Sequence, residues 1–370
     1  MKRIGLVTLY KDNFGSILQT YSTYQFLKMN GNSVILIKEN EDRSGLQKLK
    51  NKCLVIYKCF KDHDYLIDKI KIKNAMRQEK NLLSPNTKKM MNQFVQSHFE
   101  IQEVNKRNLK KLNSEFDLFI TGSDQVWNGY NEFFYLKFAD KGKRIALAPS
   151  FGTEKIRKYD EKNVKIALLE FDRLSVREEM GVKIIKKLTG KEATRLSDPT
   201  ILLSRNEWLK FANGGIKKSN YILIHFLNKP CELAISLINK YLKDYNCNVF
   251  CICNRYEEYK KLIKYEFIDI TPYDYVSMIN NADMVFTDSF HSTLFSLNME
   301  TQFLTFDRQH FHGNSQRDRI ISLLERVEMK YRFVTTDIDI DSIVIKKWNS
   351  DEIFYNDRKN IKNYIKDRIG

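Results

Sequence analysis

The clearest signal near the start of the chain is a change of hydrophobic period. Ile4–Tyr10 is a short apolar run, followed by the polar turn Lys11-Asp12-Asn13-Phe14-Gly15. Ile17, Leu18, Tyr21, Tyr24 and Phe26-Leu27 then recur at helical spacing, Gly31 stops the helix, and Val34–Ile37 begins a second strand. Two parallel strands joined by a helix require a right-handed crossover, which is how a doubly wound α/β domain opens.

Residues 41–112 are lysine-rich, broken at Ser84-Pro85-Asn86, and read as a helical insertion. Strands are predicted at Leu118–Thr121, Arg144–Ala148 and Leu174–Val176, with a helix through Glu178–Lys187; Asp198-Pro199-Thr200 closes this half. Trp208, Asn213-Gly214-Gly215 and Lys217-Lys218-Ser219 mark a linker. The alternation then restarts with strands at Tyr221–Leu227, Asn248–Cys253, Asp283–Thr287 and Phe303–Phe306. Helices are predicted around Ala234–Tyr245, Tyr273–Asn280 and Thr293–Asn298. No short repeat of fixed period runs through the chain. The pattern predicts an α/β protein of two Rossmann-like domains facing a cleft. The expected division is 1–204 with the insertion, a linker at 205–219, a second domain at 220–350, and a helix over 351–370.

With 370 residues, 42% hydrophobic and 29% charged, the chain can fill two such cores. Its formal net charge of +16 attracts nucleic acid, an anionic membrane surface or phosphorylated substrates. No nucleic-acid module accompanies the lysines, so no such partner is expected. Many of the lysines read as solvated surface, and a bias towards the inner leaflet remains open beside that reading. No stretch approaches a membrane span, and the opening apolar run is short for a signal peptide, so a cytoplasmic location is expected. The six cysteines include no Cys-x-x-Cys pair and no histidine spaced to complete a zinc site. Neither disulfides nor a structural metal is expected.

Ligands of open α/β sheets bind beyond the carboxyl ends of strands, and four loops there carry unusual residues. In Thr287-Asp288-Ser289-Phe290-His291-Ser292-Thr293, a histidine at a helix start can donate a proton near an anion, with Ser289, Ser292 and Thr293 adding hydrogen bonds. The same residues also suit a helix cap. Arg177, before Glu178-Glu179, offers a bidentate fork for carboxylate or phosphate, or a salt bridge to its neighbours. Gly122, Ser123 and Asp124 suit hydroxyl binding with Trp127 as a flat face for a sugar, or an Asx-type turn over a packed tryptophan. The fourth loop holds Asn13, Gly15 and Ser16. The cationic stretch from Asp307 to Arg319 adds Arg308, Arg317 and Arg319; its His310 and His312 form too small a set for a metal.

These stretches together resemble the polysaccharide pyruvyl transferase family. The matching segments run in order from Asn13-Phe14-Gly15-Ser16 with Leu18-Gln19 through Thr121–Asn128, Ala148-Pro149-Ser150-Phe151-Gly152, Leu174–Glu179 with Gly181, and Asp198-Pro199-Thr200. Asp288-Ser289-Phe290-His291-Ser292-Thr293 with Phe295-Ser296 completes the set. The resemblance implies a fold similar to the GT-B glycosyltransferases, phosphoenolpyruvate as co-substrate without a further cofactor, and a sugar or lipid-linked oligosaccharide as acceptor. It implies His291 as the catalytic acid and Arg177 as the donor's anion clamp. Ser289 stands where characterised members carry an arginine, so Arg308, Arg317 or Arg319 is expected to replace that contact. The rival expectation is a GT-B glycosyltransferase using a nucleotide sugar; a third is a polyanion-binding protein without chemistry.

Overall fold

The structure, a computed structural model, describes residues 1–40, 53, 55–56, 59–60, 64–70, 82–254, 256–308, 317–336, 338 and 347–369. In the first half, β1 (Arg3–Val7), α1 (Phe14–Met29), β2 (Ser33–Asn40), α2 (Pro85–His98), β3 (Ile101–Asn105), β4 (Leu118–Thr121) and β5 (Arg144–Ala146) follow one another. Their strands form a parallel sheet ordered β3-β2-β1-β4-β5. Next come α3 (Lys158–Leu169), β6 (Ser175–Val176), α4 (Glu179–Thr189) and β7 (Thr194–Arg195), with β6 and β7 paired as a small parallel ladder.

The second half opens with α5 (Arg205–Phe211), β8 (Tyr221–His225), α6 (Glu232–Asp244), β9 (Asn248–Cys251) and β10 (Glu266–Phe267). It continues through α7 (Pro272–Asn281), β11 (Met284–Thr287), α8 (Phe290–Met299), β12 (Phe303–Phe306), α9 (Arg317–Arg326), β13 (Phe333–Val334) and α10 (Tyr355–Ile369). These strands form a parallel sheet ordered β10-β9-β8-β11-β12-β13. Both orders are those of doubly wound Rossmann sheets, whose direction of winding reverses between β1 and β4 and again between β8 and β11.

Central strands are buried on both faces, as parallel sheets covered by helices require, which is why they read as unbroken apolar runs. Two expectations change. The stretch 101–105, expected as part of a helical insertion, is the edge strand β3, whose alternation is weak because only Val104 is buried. The stretch expected as a linker contains α5, with a full capping box at Ser204 and Glu207 and with Trp208 buried. Much of the expected insertion between 41 and 81 lies outside the described residues.

The halves are tied on one side by α2. Asp269 accepts hydrogen bonds from Ser84 Oγ, Asn86 Nδ2 at 3.2 Å and Thr87 Oγ1 at 2.8 Å, while Tyr273 Oη lies 2.7 Å from His98 Nε2. Helix α10 returns to the first half, where Arg358 Nε donates to the Ile201 carbonyl at 2.6 Å. One apolar cluster runs unbroken from Leu6 and Ile17 through Trp208 to Tyr275, Val285 and Phe295. Among the described residues no helix is long and apolar enough to cross a membrane. Cys247, Cys251 and Cys253 are buried thiols in and beside β9.

Candidate active site

The two winding reversals face each other, and the loops leaving β1, β4, β6 and β11 meet between them. Asn13 caps α1, its Oδ1 accepting from Ser16 N at 3.2 Å; Ser289 caps α8, its Oγ accepting from Ser292 N at 3.4 Å. The two helix starts touch: a Cβ placed on Gly15 would sit 2.1 Å from His291 Nδ1, so only glycine fits. Two positive helix ends thus converge where an anion is favoured.

The centre of this junction is Asp198, whose side chain is fully buried. Its Oδ2 accepts from Arg177 Nη1 at 2.7 Å and Ser123 Oγ at 3.1 Å, and lies 3.5 Å from His291 Nε2. Its Oδ1 accepts from Thr200 N and Oγ1, both at 3.0 Å. Burial alone would raise the Asp198 carboxyl; His291 and Arg177 outweigh it and hold the group well below the usual carboxylate range. Asp124 repeats the pattern. Its backbone takes the left-handed conformation at φ 71°, Ser16 Oγ donates to its Oδ2, and Arg177 Nη2 is 3.9 Å from its Oδ1. Burial opposes its charge, yet His291 first and Arg177 next bring its pKa below the ordinary value.

Arg177 Nε and Nη2 and His291 Nε2 have no hydrogen-bond partner among the described residues. Arg177 lies 4.5 Å above the Phe290 ring and Arg319 of α9 lies 5.5 Å from the same ring. Burial, then the like charge of Arg177, lowers Arg319 to about 9, still a cation at neutral pH. Between them is a small, partly open pocket of about 10 Å³ lined by Arg177, Glu178, Asp198, Phe290, Arg319 and Arg326 among others, with room for about one water. His291 is not among the residues that line this pocket; its Nε2 faces Asp198, which does.

The other expected site residues are placed differently. Trp127 is core, not a sugar platform: it is fully buried, stacks 5.1 Å from Tyr135, and donates Nε1–H to the Phe134 carbonyl. The Gly122 N–H is held by the Val7 carbonyl, and a Cβ there would strike Thr8. Ser292 Oγ is 2.6 Å from His225 Nδ1 and 2.8 Å from Tyr275 Oη. Thr293 Oγ1 donates to the Ser289 carbonyl at 2.9 Å. These hydroxyls serve the fold around His291. Arg308 is held by Asp288, its Nε donating to the carbonyl at 3.1 Å. Arg317 pairs with Asp307 at 3.5 Å on the half-exposed side of α9. Of the three arginines expected beside His291, Arg319 alone lines the cavity. His310 and His312 lie outside the described residues, and among the described ones no set of three His, Cys, Asp or Glu is placed to hold a metal.

Two paired parallel sheets with a site at their facing carboxyl edges define a GT-B-type enzyme fold. UDP-GlcNAc 2-epimerase from Methanocaldococcus jannaschii matches with a TM-score of 0.50 and 12% identity, over 94% of each chain. MnaA from S. aureus, solved with UDP, matches with a TM-score of 0.50 and 9% identity, over 99% of this chain and 91% of that one. Curated protein sequences include no match to this chain. The polysaccharide pyruvyl transferase family model matches residues 13–310, most of the chain. The chain belongs to that family.

Proposed function

We propose that the protein transfers a pyruvyl group from phosphoenolpyruvate to two hydroxyls of a sugar, forming a ketal and releasing phosphate. The acceptor is a cell-surface polysaccharide or its lipid-linked precursor, met in the cytoplasm at the inner face of the plasma membrane. The observation that carries the donor assignment is the pair of buried guanidiniums, Arg177 and Arg319, both close to the Phe290 ring and both lining one pocket. Two like charges held together gain from an anion between them, and phosphoenolpyruvate brings both a carboxylate and a phosphate.

In this reading the His291 imidazolium protonates the methylene carbon, and positive charge develops at the central carbon. One sugar hydroxyl attacks there and returns its proton to the imidazole. Phosphate leaves with the proton of the second hydroxyl, whose oxygen closes the ketal. Asp198 positions both groups, binding Arg177 and facing Nε2. The pocket as it stands has room for about one water, so binding of phosphoenolpyruvate requires the side chains that line it to yield. Ser16, Ser123 and Asp124 supply hydroxyl and carboxylate groups on the acceptor side.

The GT-B fold also suits a nucleotide-sugar glycosyltransferase, and a solved relative in fold holds UDP. Thermal shift separates the readings: stabilisation by phosphoenolpyruvate supports the proposal, and stabilisation by UDP alone refutes it. Incubation with labelled phosphoenolpyruvate and a panel of aryl and lipid-linked glycosides, read by mass, then identifies the acceptor.

A further inference from the structure

Of the thirteen large apolar residues left exposed in the described part of the molecule, seven lie in two neighbouring stretches of the first half. Phe60 is 89% exposed, Ile56 54% and Ile70 52%, with Val55 and Leu66 beside them; Ile166 and Leu169 are exposed on α3. The stretches are in contact. Tyr65 packs edge-on against Tyr159 at 5.0 Å, Tyr159 Oη donates to Asp68 at 2.9 Å, and Arg157 Nε lies 3.1 Å from Asp68. Tyr159 and Ile166 are seven residues apart, two turns along one face of α3.

Exposed apolar residues scattered singly mean little, but a cluster of this kind marks a contact surface. Its charge selects the partner. Residues 48–73 carry eight lysines against three aspartates, and α3 carries Lys158, Lys162 and Lys165 against Asp160 and Glu161. A face that joins to another protein excludes charge from its centre. Along the sequence of 48–73 lysines alternate with apolar residues, the composition of a segment that inserts apolar groups between anionic headgroups.

We propose that Ile56, Phe60 and Ile70, with Ile166 and Leu169 of α3, form a docking surface for an anionic lipid bilayer. The surface extends the proposed function by holding the enzyme where a lipid-linked acceptor lies. Its test reads binding without turnover, so it stands or falls apart from the donor assignment. The measurement is co-sedimentation with phosphatidylcholine vesicles, with or without about one-third phosphatidylglycerol. Wild-type protein is expected to prefer the anionic vesicles by roughly tenfold or more, and less in high salt. Ile56→Ser/Phe60→Ser and Ile166→Ser/Leu169→Ser should each weaken binding about tenfold without lowering the thermal midpoint, since the residues are exposed. Equal binding to both vesicles overturns the proposal. So do serine variants that bind like wild type, which leaves charge alone as the cause. A dimer in sedimentation velocity that the Phe60 substitution dissolves also overturns it, because the face then meets a second copy.

Discussion

Replacing Gly15 with alanine tests whether the approach of the two helix starts sets the position of the acid. The added Cβ would lie 2.1 Å from His291 Nδ1 and 2.2 Å from Cγ, where ordinary contact begins at 3.4 Å. The imidazole therefore has to retreat by about 1.2 Å, and a misplacement of about 1 Å in a reacting group costs on the order of 100-fold in rate. The three atoms nearest the added methyl all belong to His291 and none to Arg177 or Arg319, so KM for phosphoenolpyruvate should stay within about threefold. Helix propensity works the other way, favouring alanine by up to about 1 kcal/mol in a helix interior, so general unfolding is not the expected cause of a lower rate. The assay is acceptor-dependent phosphate release, with circular dichroism as the fold check. Gly214→Ala is the control, because a Cβ there meets nothing within 4 Å. A folded Gly15→Ala enzyme with wild-type kcat would refute the placement of His291 as the acid.

His291→Ala should lose at least about 100-fold in turnover while keeping donor binding, measured by single-turnover kinetics and calorimetric titration; unchanged turnover removes it from the mechanism. Arg177→Ala and Arg319→Ala should each raise the Kd for phosphoenolpyruvate by roughly tenfold or more, with Arg317→Ala within about twofold; equal effects at 317 and 319 would contradict the cavity assignment. Asp198→Asn leaves the buried Arg177 guanidinium without its carboxylate, and urea unfolding should show a loss of about 3 kcal/mol. Full stability in that variant would mean the buried pair is compensated elsewhere. His225 is held down to about 3 against an ordinary 6.5, first by burial and then by the charges of Arg308 and His291. Below pH 6.5 the unfolded chain takes up a proton that the native state refuses. Stability from this group is therefore full above 6.5 and falls towards pH 3, by up to about 1.4 kcal/mol per pH unit. His225→Gln should flatten the pH dependence of urea unfolding between about 6 and 4, and parallel slopes would count against the assignment.

The parts of the fold that could be read from sequence are those where burial is two-sided. β4 and β12 are expected and found at the same residues, because sheet and helices cover both faces and the apolar run has sharp ends. β7, β10 and β13 are two-residue edge strands, too short for a hydrophobic period to register. β3 shows one buried position in five and was absorbed into the expected insertion. In the site, His291, Gly15, Ser16, Ser123 and Asp124 meet because each follows a strand end at a winding reversal, and Arg177 joins them from the end of β6 in the small ladder. Asp198 was legible only as a punctuating Asp-Pro-Thr. Its carboxylate faces inward through tertiary contacts to residues 21, 75 and 93 positions away. His225 closes an apolar strand and reads as core, and its link to Ser292 spans 67 residues. For Trp127 the sequence leaves a flat face for a sugar and a packed tryptophan both open, because it does not distinguish an indole turned out from one turned inward; the structure has the packed one.

The apolar cluster that passes from one sheet to the other makes the two-sheet layout a matter of topology more than of energy. With α1 clamped between them, neither sheet has a finished exterior without its neighbour, so modules cut apart at the connecting segment would each bare a wide oily wall. Calorimetry of the intact chain should accordingly record a single endotherm, and whatever parting admits a ligand has to be a local yielding within one thermodynamic body.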